Sequence, residues 1–135
     1  MKIRNLKKED IPKLSEIVSS NYSKKYGKTS KIELTASFAN KTIPPKYLVT
    51  EESGKLLGFA GYMDAWMDYH LAEIFWVNVH PDFQKKGIGT KLVSDIIKKI
   101  KKSKKKMILL TTEKPKFYSE RFGFEIISKI GESKN

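Results

Sequence analysis

Residues 71–92 read LAEIFWVNVHPDFQKKGIGTKL, and the organisation of the whole chain follows from this stretch. Its first half is dense in β-branched, aromatic and aliphatic residues, which predicts a strand over Tyr69–Val79. Pro81 and Asp82 end that strand. A glycine pair, Gly87 and Gly89, then opens a segment in which Ile88, Leu92, Ile96 and Ile100 recur at every fourth residue, with Val93 and Ile97 beside them. That spacing predicts a helix from near Gly87 to about Lys102 with one buried stripe. Met107-Ile108-Leu109-Leu110 follows as a short, continuous apolar run, the pattern of a buried strand. Strand, helix and strand form a βαβ unit, so the two strands are expected to be parallel neighbours.

Working outward, residues 2–6 read as a short strand, and Asp10 reads as the cap of a helix to about residue 20 carrying Ile11, Leu14, Ile17 and Val18. Asn21 to Thr29 reads as a loop. Ser30-Lys31-Ile32-Glu33 matches a capping box that would start a second helix ending near Asn40, before Pro44-Pro45. Tyr47-Leu48-Val49 and Lys55–Trp66 read as strands joined by a Ser53-Gly54 turn. The stretch around Met67-Asp68 would close a hairpin onto the Tyr69–Val79 strand. Downstream, Pro115 opens a short helix, Gly123 ends it as a left-handed cap, and Phe124–Ile130 reads as a last strand. The expected order is β-α-α-β-β-β-α-β-α-β. The fold class is α/β (mixed α+β): a mostly antiparallel sheet with one parallel βαβ pair and helices on both faces.

The 135 residues suit a single domain spanning 1–135. The absence of cysteine removes disulfides, thiolate metal sites and a thiol nucleophile. No apolar run reaches the ~18 residues of a membrane span, and the N-terminal residues lack a signal-peptide core. The expected compartment is the cytoplasm, with no membrane association. Twenty-seven Lys and Arg against fifteen Asp and Glu give a net charge of +12. Seven lysines fall between Lys98 and Lys106, so the excess is largely one local run. Such a run is a solvated helix end or a polyanion-binding patch.

Gln84-Lys85-Lys86-Gly87-Ile88-Gly89 lies between a strand end and a helix start. A helix N-terminus offers unpaired N–H groups and partial positive charge, and glycine admits an anion close to the backbone. The loop therefore suits a phosphorylated ligand such as a pyrophosphate, against the plainer reading of a glycine turn before a helix. Neither the dinucleotide fingerprint nor the Gly-Lys-Ser/Thr phosphate loop fits.

Two segments resemble a known family. Leu71–Leu92 resembles motif A of the GNAT superfamily of N-acetyltransferases, and Phe117-Tyr118-Ser119-Glu120-Arg121-Phe122-Gly123-Phe124 resembles its motif B. The resemblance implies acetyl-CoA as cosubstrate and an amine as acceptor. It places the pyrophosphate on Gln84, Lys85, Lys86, Gly87, Ile88, Gly89 and Thr90. It lays the pantetheine arm along Val77, Asn78 and Val79, where that strand splays from Met107–Leu110. A backbone N–H near Val77 would then polarise the thioester carbonyl.

For proton transfer, the resemblance points to Glu73 as base and to Tyr118 as the acid beside the sulfur. Tyr118 would also contact the cofactor. Their plainer readings are a solvated strand glutamate and a packed aromatic. A base is useful because an amine of pKa near 10.4 is only about 0.04% neutral at pH 7. His70 could assist, whereas His80 reads as a turn residue. No histidine–carboxylate spacing suggests a metal, so none is expected. Phe59, Tyr62, Trp66, Phe75 and Trp76 read mostly as core, with one or two facing the acceptor cleft. The resemblance sets Tyr22, Tyr26 and Phe38 near the acceptor, and ordinary helix packing is their alternative.

The leading expectation is an acetyl-CoA-dependent N-acetyltransferase acting by direct attack in a ternary complex on a protein lysine, an N-terminus or a small amine. A basic nucleic-acid-binding module is the second reading, although the lysine run has no interleaved aromatics or arginines. A non-catalytic acyl-CoA-binding domain of the same fold is the third. The sequence leaves monomer and homodimer open.

Overall fold

The computed structural model describes residues 1–66 and 68–128. Five strands, β1 (Lys2–Asn5), β2 (Lys46–Glu52), β3 (Lys55–Asp64), β4 (Leu71–Val79) and β5 (Met107–Leu109), form one sheet in chain order. The first three pairings are antiparallel and β4–β5 is parallel. Ser53 and Gly54 both take positive φ, as a two-residue hairpin turn requires, and hold β2 to β3. Among the described residues there are four α-helices: α1 (Ile11–Asn21), α2 (Lys24–Ser37), α3 (Ile88–Lys102) and α4 (Pro115–Phe122).

The sheet has a core on each face. On one face α3 buries Ile88, Leu92, Val93, Ile96 and Ile100 against Leu48, Ala60, Ala72 and Ile74, joined by Tyr118 of α4. On the other, α1 and α2 bury Leu14, Ile17, Val18 and Leu34 against Tyr47, Val49 and Phe59. Each fully buried aliphatic side chain contributes about 1.5–3 kcal/mol of transfer free energy. Tyr47 and Phe75 meet edge to face across β3, with centroids 5.8 Å apart. They can do so because Gly61 between them has no side chain: a Cβ there would lie 2.6 Å from the Tyr47 ring and 2.4 Å from that of Phe75.

The expected mixed fold class is present. Three local expectations are corrected. The second helix begins at Lys24, not Ser30, because Ser23 takes extended backbone and accepts the Tyr26 N–H. Ser30 is buried in mid-helix and donates to the Gly27 carbonyl. Gly27 disguises this helix as a loop. It is there because a Cβ would lie 1.8 Å from Ser19 Oγ and 3.0 Å from the Ser15 carbonyl oxygen of α1.

Asp10 does not cap α1 through its side chain. It is 4% exposed, accepts the Lys7 N–H at 2.8 Å, and grips Arg4 through both oxygens at 2.8 and 2.9 Å. Burial alone would raise its pKa, but the hydrogen bonds from Arg4 and Lys7 bring the carboxyl below its ordinary value. Residues 124–128 form no strand, and residues 129–130 of the expected last strand lie outside the described residues.

Candidate active site

Pairing between β4 and β5 covers only Leu71–Glu73 with Met107–Leu109. β4 continues against β3 as far as Val79. From Ile74 onward its other edge therefore has no strand neighbour among the described residues, which makes a fork in the sheet.

The cause of the fork is local. Between the pairs Phe59–Asn78 and Gly61–Phe75, β3 contributes Ala60 alone while β4 contributes Trp76 and Val77. This is a β-bulge, which bends a strand and increases its twist. Trp76 sits in it at φ 52°, a conformation costing roughly 1–3 kcal/mol for a bulky residue. Its indole N–H donates to Glu33 Oε1 of α2 at 2.7 Å, which holds the ring. The bulge also switches the side-chain alternation. Ala72 and Ile74 before it, and Val77 and Val79 after it, pack on the α3/α4 face, whereas Phe75 and Trp76 pack on the α1/α2 face.

The loop after β4 leads into the N-terminus of α3. Lys85 and Gly87 both have positive φ, and Gly87 occupies the cap position without a side chain to cap with. The first intrahelical bond is Lys91 N–H to the Gly87 carbonyl, so the N–H groups of Ile88, Gly89 and Thr90 have no helical acceptor. The two glycines differ. A Cβ on Gly87 would point into open space, while one on Gly89 would meet Phe117 at 3.6 Å and Val79 at 3.7 Å. Gly87 keeps the approach to the helix end open, whereas a side chain at Gly89 would make only ordinary van der Waals contact with β4 and α4. Lys86 and Lys55 add charge beside Phe83, their Nζ atoms 5.3 and 4.8 Å from its ring centre.

Asn21, at the end of α1, fixes the geometry. Its Nδ2 donates to Asn78 Oδ1 at 3.0 Å and to the Val79 carbonyl at 2.9 Å, and its Oδ1 accepts from Gln84 Nε2 at 3.0 Å. The side chains of Asn78 and Gln84 are thus engaged in tying α1, β4 and the loop together. Nothing in the sequence marked Asn21, a single polar residue at a helix end. Lys55 and Glu33 escaped for a similar reason: one lies on a remote hairpin, and the other fitted a capping box.

Glu73 is half-buried and is the last residue of β4 paired on both sides, opposite Met63 and Leu109, so it stands at the apex of the fork. Alternation with Ala72 and Ile74 turns its side chain to the α1/α2 face. Tyr118 lies on the opposite face, 8% exposed, against Phe117, Phe122 and Phe124. Burial pushes its phenol up to about 12, with a smaller contribution from Tyr22. Tyr22 and Tyr26 are exposed and stack edge to face at 5.8 Å.

The structure therefore gathers the Val77–Val79 edge, the Gly87–Thr90 helix end, Tyr118 and Glu73 around one fork. It leaves other expected residues outside. His70 is in the turn before β4, with Nδ1 3.6 Å from Asp68. His80 accepts the Asp82 N–H, as a turn residue does. Phe38 lines a separate cleft of about 440 Å³ with Ile11 and Pro12. Trp66, one of five aromatics expected mostly in the core with one or two facing the acceptor cleft, is 78% exposed in the connection between β3 and β4.

A forked, mixed sheet with helices on both faces is the fold of the GNAT acetyltransferases. The chain belongs to the Acetyltransferase (GNAT) family, whose profile matches residues 11–124. No curated protein matches the sequence significantly. Among solved structures, a GNAT-family protein from Desulfovibrio desulfuricans superposes with a TM-score of 0.85 at 15% identity, covering 94% of this chain and 86% of its own. A GNAT-family acetyltransferase from Brucella melitensis, in complex with acetyl-CoA, gives 0.73 at 22% identity over 93% and 82%. Rv2747 from Mycobacterium tuberculosis, in complex with CoA and NLQ, gives 0.76 at 19% identity over 99% and 77%.

Proposed function

We propose that this protein is an acetyl-CoA-dependent N-acetyltransferase that moves the acetyl group to a primary amine by direct attack. The observation that carries this reading is the open edge of β4 running straight into the uncapped N-terminus of α3. An extended chain bearing amides can add to such an edge as a strand would, and a diphosphate suits the three free N–H groups beyond it. Acetyl-CoA has both parts in that order. The acetyl-CoA complex of the similar Brucella protein supports the assignment.

The two faces of β4 divide the proton traffic. Glu73 takes a proton from the ammonium on the α1/α2 face, which leaves a neutral nitrogen. That nitrogen attacks the thioester carbonyl, forming the C–N bond as the C–S bond breaks. Tyr118, on the other face, gives its proton to the departing sulfur, and the acylated nitrogen sheds its second proton to water, from which Tyr118 is reprotonated. Glu33, also on the α1/α2 face, adds a second carboxylate there and offsets the repulsion that a +12 protein exerts on a cationic acceptor.

The test uses acetyl-CoA with a panel of peptide lysines, free N-termini and small amines, read by thiol release and by mass spectrometry of the acceptor. Gly87→Asn and Gly87→Asp both tolerate a left-handed backbone. The aspartate variant alone should place a negative charge before the helix end and lower acetyl-CoA affinity in calorimetry by at least tenfold relative to asparagine. Equal affinity in the two variants overturns the diphosphate assignment. Thiol release without any acetylated amine overturns the transferase reading.

A further inference from the structure

The lysine run is not one uniform solvated face. Lys98, Lys99, Lys101, Lys102, Lys104 and Lys106 are exposed, but the Lys105 side chain is only 2% exposed. Its Nζ donates to the Tyr69 carbonyl at 2.5 Å, lies 3.5 Å from Asp64 Oδ2, and sits 3.9 Å from the centre of the Tyr69 ring. The backbone N–H groups of Lys106 and Met107 both donate to the His70 carbonyl, at 2.8 and 3.2 Å. These contacts fasten the connection between β3 and β4 against the end of the lysine run. That connection carries Trp66 and Tyr69, which are 78% and 73% exposed. Tyr69, absent from the run in sequence, is thus placed beside it in space, and Trp66 belongs to the same connection.

We infer that this surface, made of Trp66, Tyr69 and the exposed lysines of 98–106, binds single-stranded nucleic acid. Lysines that track a phosphate backbone, together with exposed rings on which unpaired bases stack, are the two components such sites require. Trp66 supplies a ring that is 78% exposed. Tyr69 is 73% exposed, with the Lys105 ammonium over its ring and the His70 imidazole packed edge to face at 5.5 Å. Of the carboxylates nearby, Asp64 is paired with Lys105, Asp68 accepts the His70 N–H and lies near that imidazole, and Glu125 lines a groove with Lys101, Lys105 and Lys106. The exposed lysines outnumber these carboxylates and keep an excess of charge for an external polyanion. An anionic membrane would also attract them, but Asp68 stands between Trp66 and Tyr69 in the same connection, and sinking those rings into a lipid interface would carry its carboxylate along. A duplex keeps its bases stacked internally and offers the rings nothing. The inference does not depend on the transferase reading.

The test is fluorescence anisotropy of a labelled oligouridylate of about 12 nucleotides, within the footprint of single-strand sites. It is run against its duplex with oligoadenylate and against phosphatidylserine vesicles. The single strand should bind more tightly than the duplex, with an affinity that falls on a log–log plot against salt. Replacing Lys101 and Lys102 with Gln and Lys104 with Asn should flatten that slope by about 2, at roughly 0.7 for each phosphate no longer neutralised. Trp66→Ala should weaken binding by about tenfold, and Trp66→Phe should largely restore it. Neither set of changes touches the fork, so acetyl-CoA binding serves as the folding control. Duplex binding equal to single-strand binding, an unchanged affinity in Trp66→Ala, or binding to vesicles but not to the oligonucleotide each overturns the proposal.

Discussion

Replacing Tyr118 with Phe removes one oxygen and nothing else from the α4 packing. The ring keeps its neighbours Phe117, Phe122 and Phe124. The hydroxyl makes no hydrogen bond with any described residue, so its loss leaves no protein donor unsatisfied, and folding stability at pH 7 should change by no more than about 1 kcal/mol. The catalytic effect should be larger. A phenol pushed up to about 12 is ionised to only about one part in ten thousand at pH 8, so wild type holds the proton ready throughout the working range. Losing a positioned acid should lower turnover by about 10²-fold with acetyl-CoA affinity intact. The residual rate reflects the ability of a thiolate to leave unaided. The assay is single-turnover thiol release on one identified amine from pH 6.5 to 10, with calorimetry for acetyl-CoA. Wild-type turnover in Tyr118→Phe under chemistry-limited conditions refutes the acid role. A wild-type rate that falls with an apparent pKa near 10, traced to Tyr118, refutes the burial argument. The raised pKa also has a sign for stability. Its contribution is complete below pH 10 and is lost as pH rises towards about 12, so alkaline unfolding should be less steep in the phenylalanine variant.

Three further outcomes follow from the same geometry. Glu73→Gln should lower the rate most at neutral pH and recover partly by pH 9, where an amine of pKa near 10.4 is about 100-fold more neutral than at pH 7. A pH–rate profile unchanged from wild type removes Glu73 as the base. Gly27→Ala gains about 1 kcal/mol of helix propensity but drives a Cβ into Ser19 Oγ and the Ser15 carbonyl. Overpacking should win, and denaturant unfolding should show a net loss of about 1–2 kcal/mol. Asp10→Asn breaks the pair with Arg4 and should cost about 2–3 kcal/mol at pH 7 by the same measurement. Because the folded pKa of Asp10 is lowered, that difference should be present above the unfolded value near 3.9 and should shrink as pH falls below it.

What the sequence revealed and what it concealed divide by the range of the interactions involved. The βαβ unit was legible because its signals are local: the fourfold recurrence from Ile88 to Ile100 acts within one helix, and the apolar run at Met107 marked β5, although as an edge strand with Met107 55% exposed rather than the buried strand expected. The glycine cap at Gly123 marked the end of α4 in the same local way. The start of α2 was obscured where a local rule met a tertiary one. Gly27 and Ser30 look like loop and cap residues, but their small size serves the close approach of α1.

The fork itself had no local signature. Tryptophan is a good strand former, and nothing at 75–77 suggests a positive φ or an extra residue. The conformation of Trp76 is held instead by Glu33, on a helix 43 residues earlier in the chain, and by packing on the α1/α2 face. The same holds for Lys105, which is indistinguishable from its six lysine neighbours until the β3–β4 connection folds over it. In both cases a residue acquires its role from a partner brought to it by the sheet. The motifs around Gly87 and Tyr118 mark where the chemistry is expected. The bulge that parts β4 from β5 is what makes room for it, and the tryptophan inside that bulge is bonded to an α2 carboxylate that belongs to neither motif.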